Sequence, residues 1–209
     1  MRVYETKFLG IIIQSNLKWN THIGLLRNKI SKTVGILSKL KNILTTAHLK
    51  TLYQSLIEPY LNYCCIVWAS PEKSVLLEML YKLQKRATRI ILYANYQAHA
   101  LPLFHKLNIL TIYDLCKTQI LRFVYMSRSG LLPNYLHYFT SVKEKHCYAT
   151  RSSNNNNLYR TNSHKSCRVN ALVNRGPKYW NLLPMSLKTT PHLSLFKRSL
   201  KVHLIKDYS

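Results

Sequence analysis

The stretch SVLLEMLYKLQKRATRIILYA, residues 74–94, repeats apolar side chains at intervals of three and four. That spacing fits an α-helix and not a β-strand, whose faces alternate every second residue. On a helical wheel Leu76, Met79, Leu80, Leu83, Ala87, Ile90 and Ile91 share one arc, while Lys82, Lys85, Arg86 and Arg89 lie nearly opposite. Such a helix must bury one side and carries a positive stripe on the other. The chain is thereby committed to helices layered over a core.

The same period recurs. Ile23, Leu26, Ile30, Val34, Leu37 and Leu40 predict a first helix capped by Asn20 or Thr21 and ending at Asn42, with Arg27, Lys29, Lys32, Lys39 and Lys41 on its remaining surface. Thr45 or Thr46 caps a second helix with Leu49, Leu52, Tyr53 and Leu56 inward, and Pro59 must end or kink it. YLNYCCIVWA, residues 60–69, is apolar almost throughout and reads as a buried helix. Pro102 suits the first turn of a short helix holding Leu103, Phe104 and Leu107. Thr111-x-x-Asp114 resembles a capping box for a helix that stops at Gly130. Thr190-Pro191 opens a last amphipathic helix with Leu193, Phe196, Leu200 and Leu204 inward.

Elsewhere the helical pattern lapses. Phe8 to Ile13 reads as a core strand followed by a turn at Gln14-Ser15-Asn16, and Arg168 to Val173 alternates like a short strand before Pro177 opens a helical turn. Residues 141–167, with four consecutive asparagines, read as a polar linker. The expected fold is mainly α: a helical bundle over residues 20–140, preceded by a strand and turn in 1–19. A small C-terminal α+β segment over 168–209 follows the linker.

Charge narrows the partners. Thirty-one Lys and Arg face seven Asp and Glu, a formal charge of +24. A body so charged repels itself unless something anionic lies against it. Nucleic acid is the first candidate, an anionic membrane surface the second and an acidic protein the third. No run approaches the ~20 apolar residues of a membrane span, and no secretory signal is legible at the N-terminus. Adjacent Cys64 and Cys65 in an apolar run suggest buried free thiols and an intracellular, reducing compartment, nucleus or cytoplasm.

The seven carboxylates are scattered, so no pair suggests a catalytic or two-metal centre. His146, Cys147, His164 and Cys167 make the best zinc candidate, but adjacent first ligands form a poor chelate. No metal site is expected. The stripe of Lys82, Lys85, Arg86 and Arg89 is the stronger signal, because ordinary solvated helix faces mix signs. The first helix offers a second cationic surface, Arg27, Lys29, Lys32 and Lys39, with Trp19 expected in the core and His22 beside it.

Several blocks in order resemble one family. KFLGIII with LKWNTHI is similar to the end of the palm and start of the thumb in reverse transcriptases of non-LTR retrotransposons, especially the Jockey-like group. LYQSLIEPYLNYCCIVWA resembles that group's thumb signature, and LQKRATRII its following basic helix. PLFHKLNILTIYDL, HCYATRSSNNN, NRGPKYWNLLP and LSLFKRSLKVHL resemble later blocks of the same region. The resemblance implies a helical thumb that grips a template–primer (RNA, RNA–DNA hybrid or DNA) without reading sequence. Lys7-Phe8-Leu9-Gly10 would match the strand beside the primer end. It also implies that the palm and fingers, with the metal-binding aspartates and their Mg2+, lie upstream of this region, leaving this chain without catalytic residues. The alternative is a decayed transposon remnant with no activity of its own.

Overall fold

The computed structural model describes residues 4–69, 75–145, 148, 150–161 and 171–208. The chain is mainly helical, with one two-stranded antiparallel sheet near its N-terminus. The residues fall into two compact units, Met1–Leu115 with Ile205–Ser209, and Cys116–Leu204.

In the first unit the KFLGIII run is a hairpin rather than a single core strand. Lys7 and Phe8 end β1 (Glu5–Phe8), Leu9-Gly10 make the turn, and β2 (Ile11–Gln14) returns with Phe8 opposite Ile11. Both turn residues have positive φ, +45° and +83°, the geometry whose twist matches that of paired strands. Gly10 takes it without cost, while Leu9 is held there by the Tyr63 hydroxyl, which donates to the Leu9 carbonyl at 2.6 Å. A strand paired on one side covers only one face, so Ile11 is buried while Phe8 and Leu9 are 61% and 72% exposed. His22 joins the hairpin to the helix after it. Its Nδ1 accepts from the Ile12 N–H at 3.5 Å, and its ring meets Trp68 edge-on at 5.7 Å. Burial, then nearby Lys29, holds the His22 pKa below its ordinary value. Trp19, expected in the core, is half-buried.

Helix α1 (Asn20–Leu40) buries Ile23, Leu26, Ile30, Val34 and Leu37 as the spacing requires. α2 (Thr46–Leu56) buries Leu49 and Tyr53, but Leu56 is exposed and Ile57, at the bend before Pro59, takes its place in the core. The YLNYCCIVWA run is helical in two pieces, α3 (Glu58–Asn62) and α4 (Cys65–Trp68), broken where Cys64 adopts φ +50°. That break exposes Cys64 and leaves only Cys65 buried, against the expectation of two buried thiols.

α5 (Val75–Ile91) is turned relative to the apolar arc. Its buried face is Leu77, Leu80, Gln84, Ala87, Thr88 and Ile91, while Met79 is exposed and Leu83 and Ile90 are half-exposed. Two polar residues occupy the core because their bonds are made there. Gln84 Nε2 donates to the Tyr53 hydroxyl at 2.7 Å and the Leu110 carbonyl at 2.9 Å, and Gln84 Oε1 accepts from the Ile112 N–H at 2.9 Å. Thr88 Oγ1 donates to the Lys85 carbonyl at 2.9 Å.

α6 (Ala100–Leu107) closes at Asn108, φ +54°, and α7 (Ile112–Arg128) begins at the expected Thr111–Asp114 cap. Thr111 Oγ1 donates to Asp114 Oδ2 at 2.8 Å and accepts from the Asp114 N–H at 3.3 Å. Tyr208, from the other end of the chain, completes the cap. Its hydroxyl accepts from the Thr111 N–H at 3.0 Å and donates to the Asp114 carboxylate. Burial and the Asp114 charge keep this phenol protonated, its pKa pushed up.

In the second unit the asparagine run, which the sequence places in a polar linker, carries a helical turn and hydrogen-bonded backbone over residues 150–161. α8 (Val142–Lys145) and α9 (Arg151–Asn154) lead into Asn155, Asn156 and Asn157, whose carbonyls each accept a hydrogen bond, that of Asn157 from the Val142 N–H at 3.0 Å. Arg128 Nη1 and Trp180 Nε1 both donate to the Asn156 carbonyl at 3.1 Å, and Lys188 Nζ reaches the Asn155 carbonyl at 3.2 Å. Asn181 pairs with both the N–H and the carbonyl of Leu158, at 2.8 and 2.9 Å. Leu172 and Val173, expected at the end of a strand, instead open α10 (Leu172–Asn181), with Pro177 inside it. Arg168 to Asn170, like the zinc candidates His146, Cys147, His164 and Cys167, lie outside the described residues. Gly176 is packed so closely that an added Cβ would lie 2.6 Å from the Phe139 ring. α11 (Met185–Lys188) and α12 (Leu193–Lys206) finish the chain, and Phe196 stacks on Tyr125 at 4.5 Å.

Replacing Gln84 with Ala orphans the Ile112 N–H, the Leu110 carbonyl and the Tyr53 hydroxyl together. The expected loss is about 3 kcal/mol in urea unfolding, against about 1 kcal/mol for Tyr53→Phe, which removes one partner only. Equal losses would show that the amide is not the hub.

Candidate nucleic-acid interface

The turned face of α5 sets its cations against a neighbouring helix. Lys82, Lys85, Arg86 and Arg89 lie on successive turns, and Arg27 of α1 joins them across an open hollow of about 550 Å³. Met79 and Leu83 supply apolar wall beside these charges. A second hollow of about 330 Å³ shares Arg86, Arg89 and Tyr96 with the first and adds Ser38 and Lys41 of α1 and Tyr93. The two form one cationic track along the α1–α5 seam.

The cations differ in freedom. Lys82, Arg86 and Arg27 are exposed and have no partner among the described residues. Lys85 stands 4.4 Å over the Tyr81 ring and 3.7 Å from Glu78. Glu78 also accepts from the Tyr113 hydroxyl at 2.9 Å, and it is the one carboxylate that an ion pair brings to the stripe among the described residues. Arg89 is committed to the fold. Its Nε and Nη2 donate to the Ala98 carbonyl at 3.1 and 2.8 Å, and its guanidinium lies 5.8 Å from the Tyr96 ring centroid.

The end of the track is fixed by backbone geometry. Tyr93 adopts φ +55°, with its N–H donating to the Ile90 carbonyl at 3.3 Å and the Ala94 N–H donating to the Arg89 carbonyl at 2.9 Å. These are the paired bonds of a Schellman cap, which normally has glycine at this position. The Tyr93 hydroxyl also donates to the Lys41 and Leu44 carbonyls, tying the end of α5 to the end of α1.

Five of the expected phosphate-binding residues, Arg27, Lys82, Lys85, Arg86 and Arg89, thus come together. Lys29, Lys32 and Lys39 are exposed but border neither hollow, and Lys29 instead lies 5.3 Å over the Tyr60 ring. The hairpin residues Lys7, Phe8, Leu9 and Gly10 border neither hollow as well. Lys41 and Tyr96 were not among the expected site residues. Lys41 lies two heptads beyond Arg27, close to the same helix face, so spacing could have found it. Tyr96 sits in a loop that Arg89 pins at the Ala98 carbonyl, a contact no local spacing reveals.

Positive charge beside apolar walls focuses the field outward and favours an extended anion. Among the described residues no group of three His, Cys, Asp or Glu is placed to hold a metal ion. Among the described residues no helix is long and apolar enough to cross a membrane. Comparison with protein-family models, with curated proteins and with solved structures finds no match.

Arg89→Ala removes both bonds to the Ala98 carbonyl. Amide hydrogen exchange at residues 95–98 is expected to rise at least tenfold, about 1.4 kcal/mol of lost local protection, while α5 core amides keep theirs.

Proposed function

We propose that the α1–α5 track holds the phosphate backbone of a nucleic-acid duplex without reading its bases. On this reading the chain is the thumb-like, template–primer-gripping part of an RNA-directed DNA polymerase of the Jockey-like non-LTR retrotransposon kind. The supporting observation is the convergence of Arg27, Lys82, Lys85, Arg86 and Arg89 on one hollow, with Glu78 the one carboxylate paired to the stripe among the described residues. The polymerase assignment itself rests on the ordered sequence blocks, and Mg2+ and its aspartates belong to a separate palm.

The dimensions suit a backbone. From Lys82 to Arg89 α5 advances about 10 Å, roughly three nucleotide steps of one strand at 3.4 Å each. Side chains on exposed helix turns meet phosphates, which position a duplex but carry no sequence information. An A-form RNA–DNA hybrid would be recognised by its shape in the same way.

Four phosphate contacts give a slope of roughly −3.6 for log affinity against log salt concentration. The double variant Lys82→Gln/Arg86→Gln is expected to flatten that slope by about two with unchanged thermal unfolding, since neither side chain has a partner in the fold. Unrelated sequences should bind alike, and a flat salt response in the wild type would end the reading. Glu78→Gln acts oppositely: it releases Lys85 from its ion pair, and titration of a duplex at low salt is expected to show tighter binding and a slope steeper by about one.

A further inference from the structure

The cationic track gives the charged side chains a role but leaves Tyr96 without one. Its ring is 81% exposed on the loop after α5, where an idle aromatic would gain by folding onto apolar surface. The loop holds it outward. The Ala98 N–H donates to the Asn95 carbonyl at 3.0 Å, the Gln97 N–H to Asn95 Oδ1 at 3.4 Å, and Arg89 grips the Ala98 carbonyl from beneath through two nitrogens. Tyr96 borders both hollows, so an exposed aromatic ring stands beside the cations of each.

The geometry points to Tyr96 as a stacking platform for one unpaired base, its flanking phosphates lying in the two hollows. This rests on the backbone-gripping reading above and names the ligand more closely: a single-stranded stretch, RNA or DNA, adjoining the duplex. A base inside a duplex has both faces covered by its neighbours and offers Tyr96 nothing. An unpaired base has a free face, and aromatic stacking holds it whatever its identity. The Arg89 guanidinium beside the ring fixes the plate and adds positive charge to it. Arg27 and Lys82 on one side and Lys41 on the other are the groups that meet the neighbouring phosphates.

The test uses the full chain and fluorescence anisotropy with three probes sharing one duplex: blunt, with a short oligothymidine tail, and with an abasic tail of equal length. The two tails carry the same phosphates and differ only in their bases. Wild type is expected to bind the base-bearing tail at least about fivefold more tightly than the abasic one. Tyr96→Ala abolishes that difference, and Tyr96→Phe, which keeps the ring and loses only the hydroxyl, retains it. Equal binding of the two tails by wild type with the salt dependence intact overturns the stacking role alone, as does a preference that survives Tyr96→Ala. No binding of any probe in dilute buffer overturns the backbone reading, and the stacking role with it.

Discussion

Which side of α5 faces the core is decided by Gln84. A buried amide is costly unless its donors and acceptor are all engaged. Its partners lie on Tyr53 of α2 and on the chain that enters α7, at Leu110 and Ile112. Rotating α5 to bury its most apolar arc would break all three bonds. Held by Gln84, the helix brings Met79, Leu83 and Ile90 to the margin of its buried face, beside Arg86, and these become walls of the cationic track. The site is thus a by-product of a polar contact inside the core.

That contact also marks the limit of what sequence could reveal. Periodicity placed α1 and α5, Pro102 placed α6, and the Thr111–Asp114 spacing with Gly130 placed α7, because these signals depend on residues a few positions apart. The phase of α5 depends on Gln84 meeting groups 26–31 residues away, and no local pattern carries that. Hydrophobicity alone assigned Met79 to the core and gave no place there to Gln84, and tertiary hydrogen bonds bury Gln84 while Met79 is exposed. The KFLGIII run failed differently. Its turn residue Leu9 has no turn signature, and its positive φ is supported by Tyr63, far along the chain. Pro177, which reads locally as a helix start, sits inside α10.

The charge count also overstates what is open to a ligand. In the C-terminal unit Arg128 and Lys188 are spent on backbone carbonyls of the asparagine run, and Arg128 lies 5.2 Å from the Trp180 ring. Burial lowers the pKa of both, and the Arg128 charge lowers that of Lys188 further. These cations act as fasteners for a segment poor in apolar side chains, bonding carbonyls that no helix or sheet takes up. The candidate cation row, by contrast, keeps Lys82, Arg86 and Arg27 unengaged. Two populations of basic residues follow, one bonded to backbone carbonyls and one unengaged among the described residues, and composition cannot separate them.

The Tyr93 latch has a mechanical corollary. Since one phenol hydroxyl is shared by the Lys41 and Leu44 carbonyls just past α1 while its own backbone seals the end of α5, the two helices cannot splay at that end without surrendering both attachments. The distance between the opposing rows of positive side chains is therefore a fixed gauge, not an adjustable jaw.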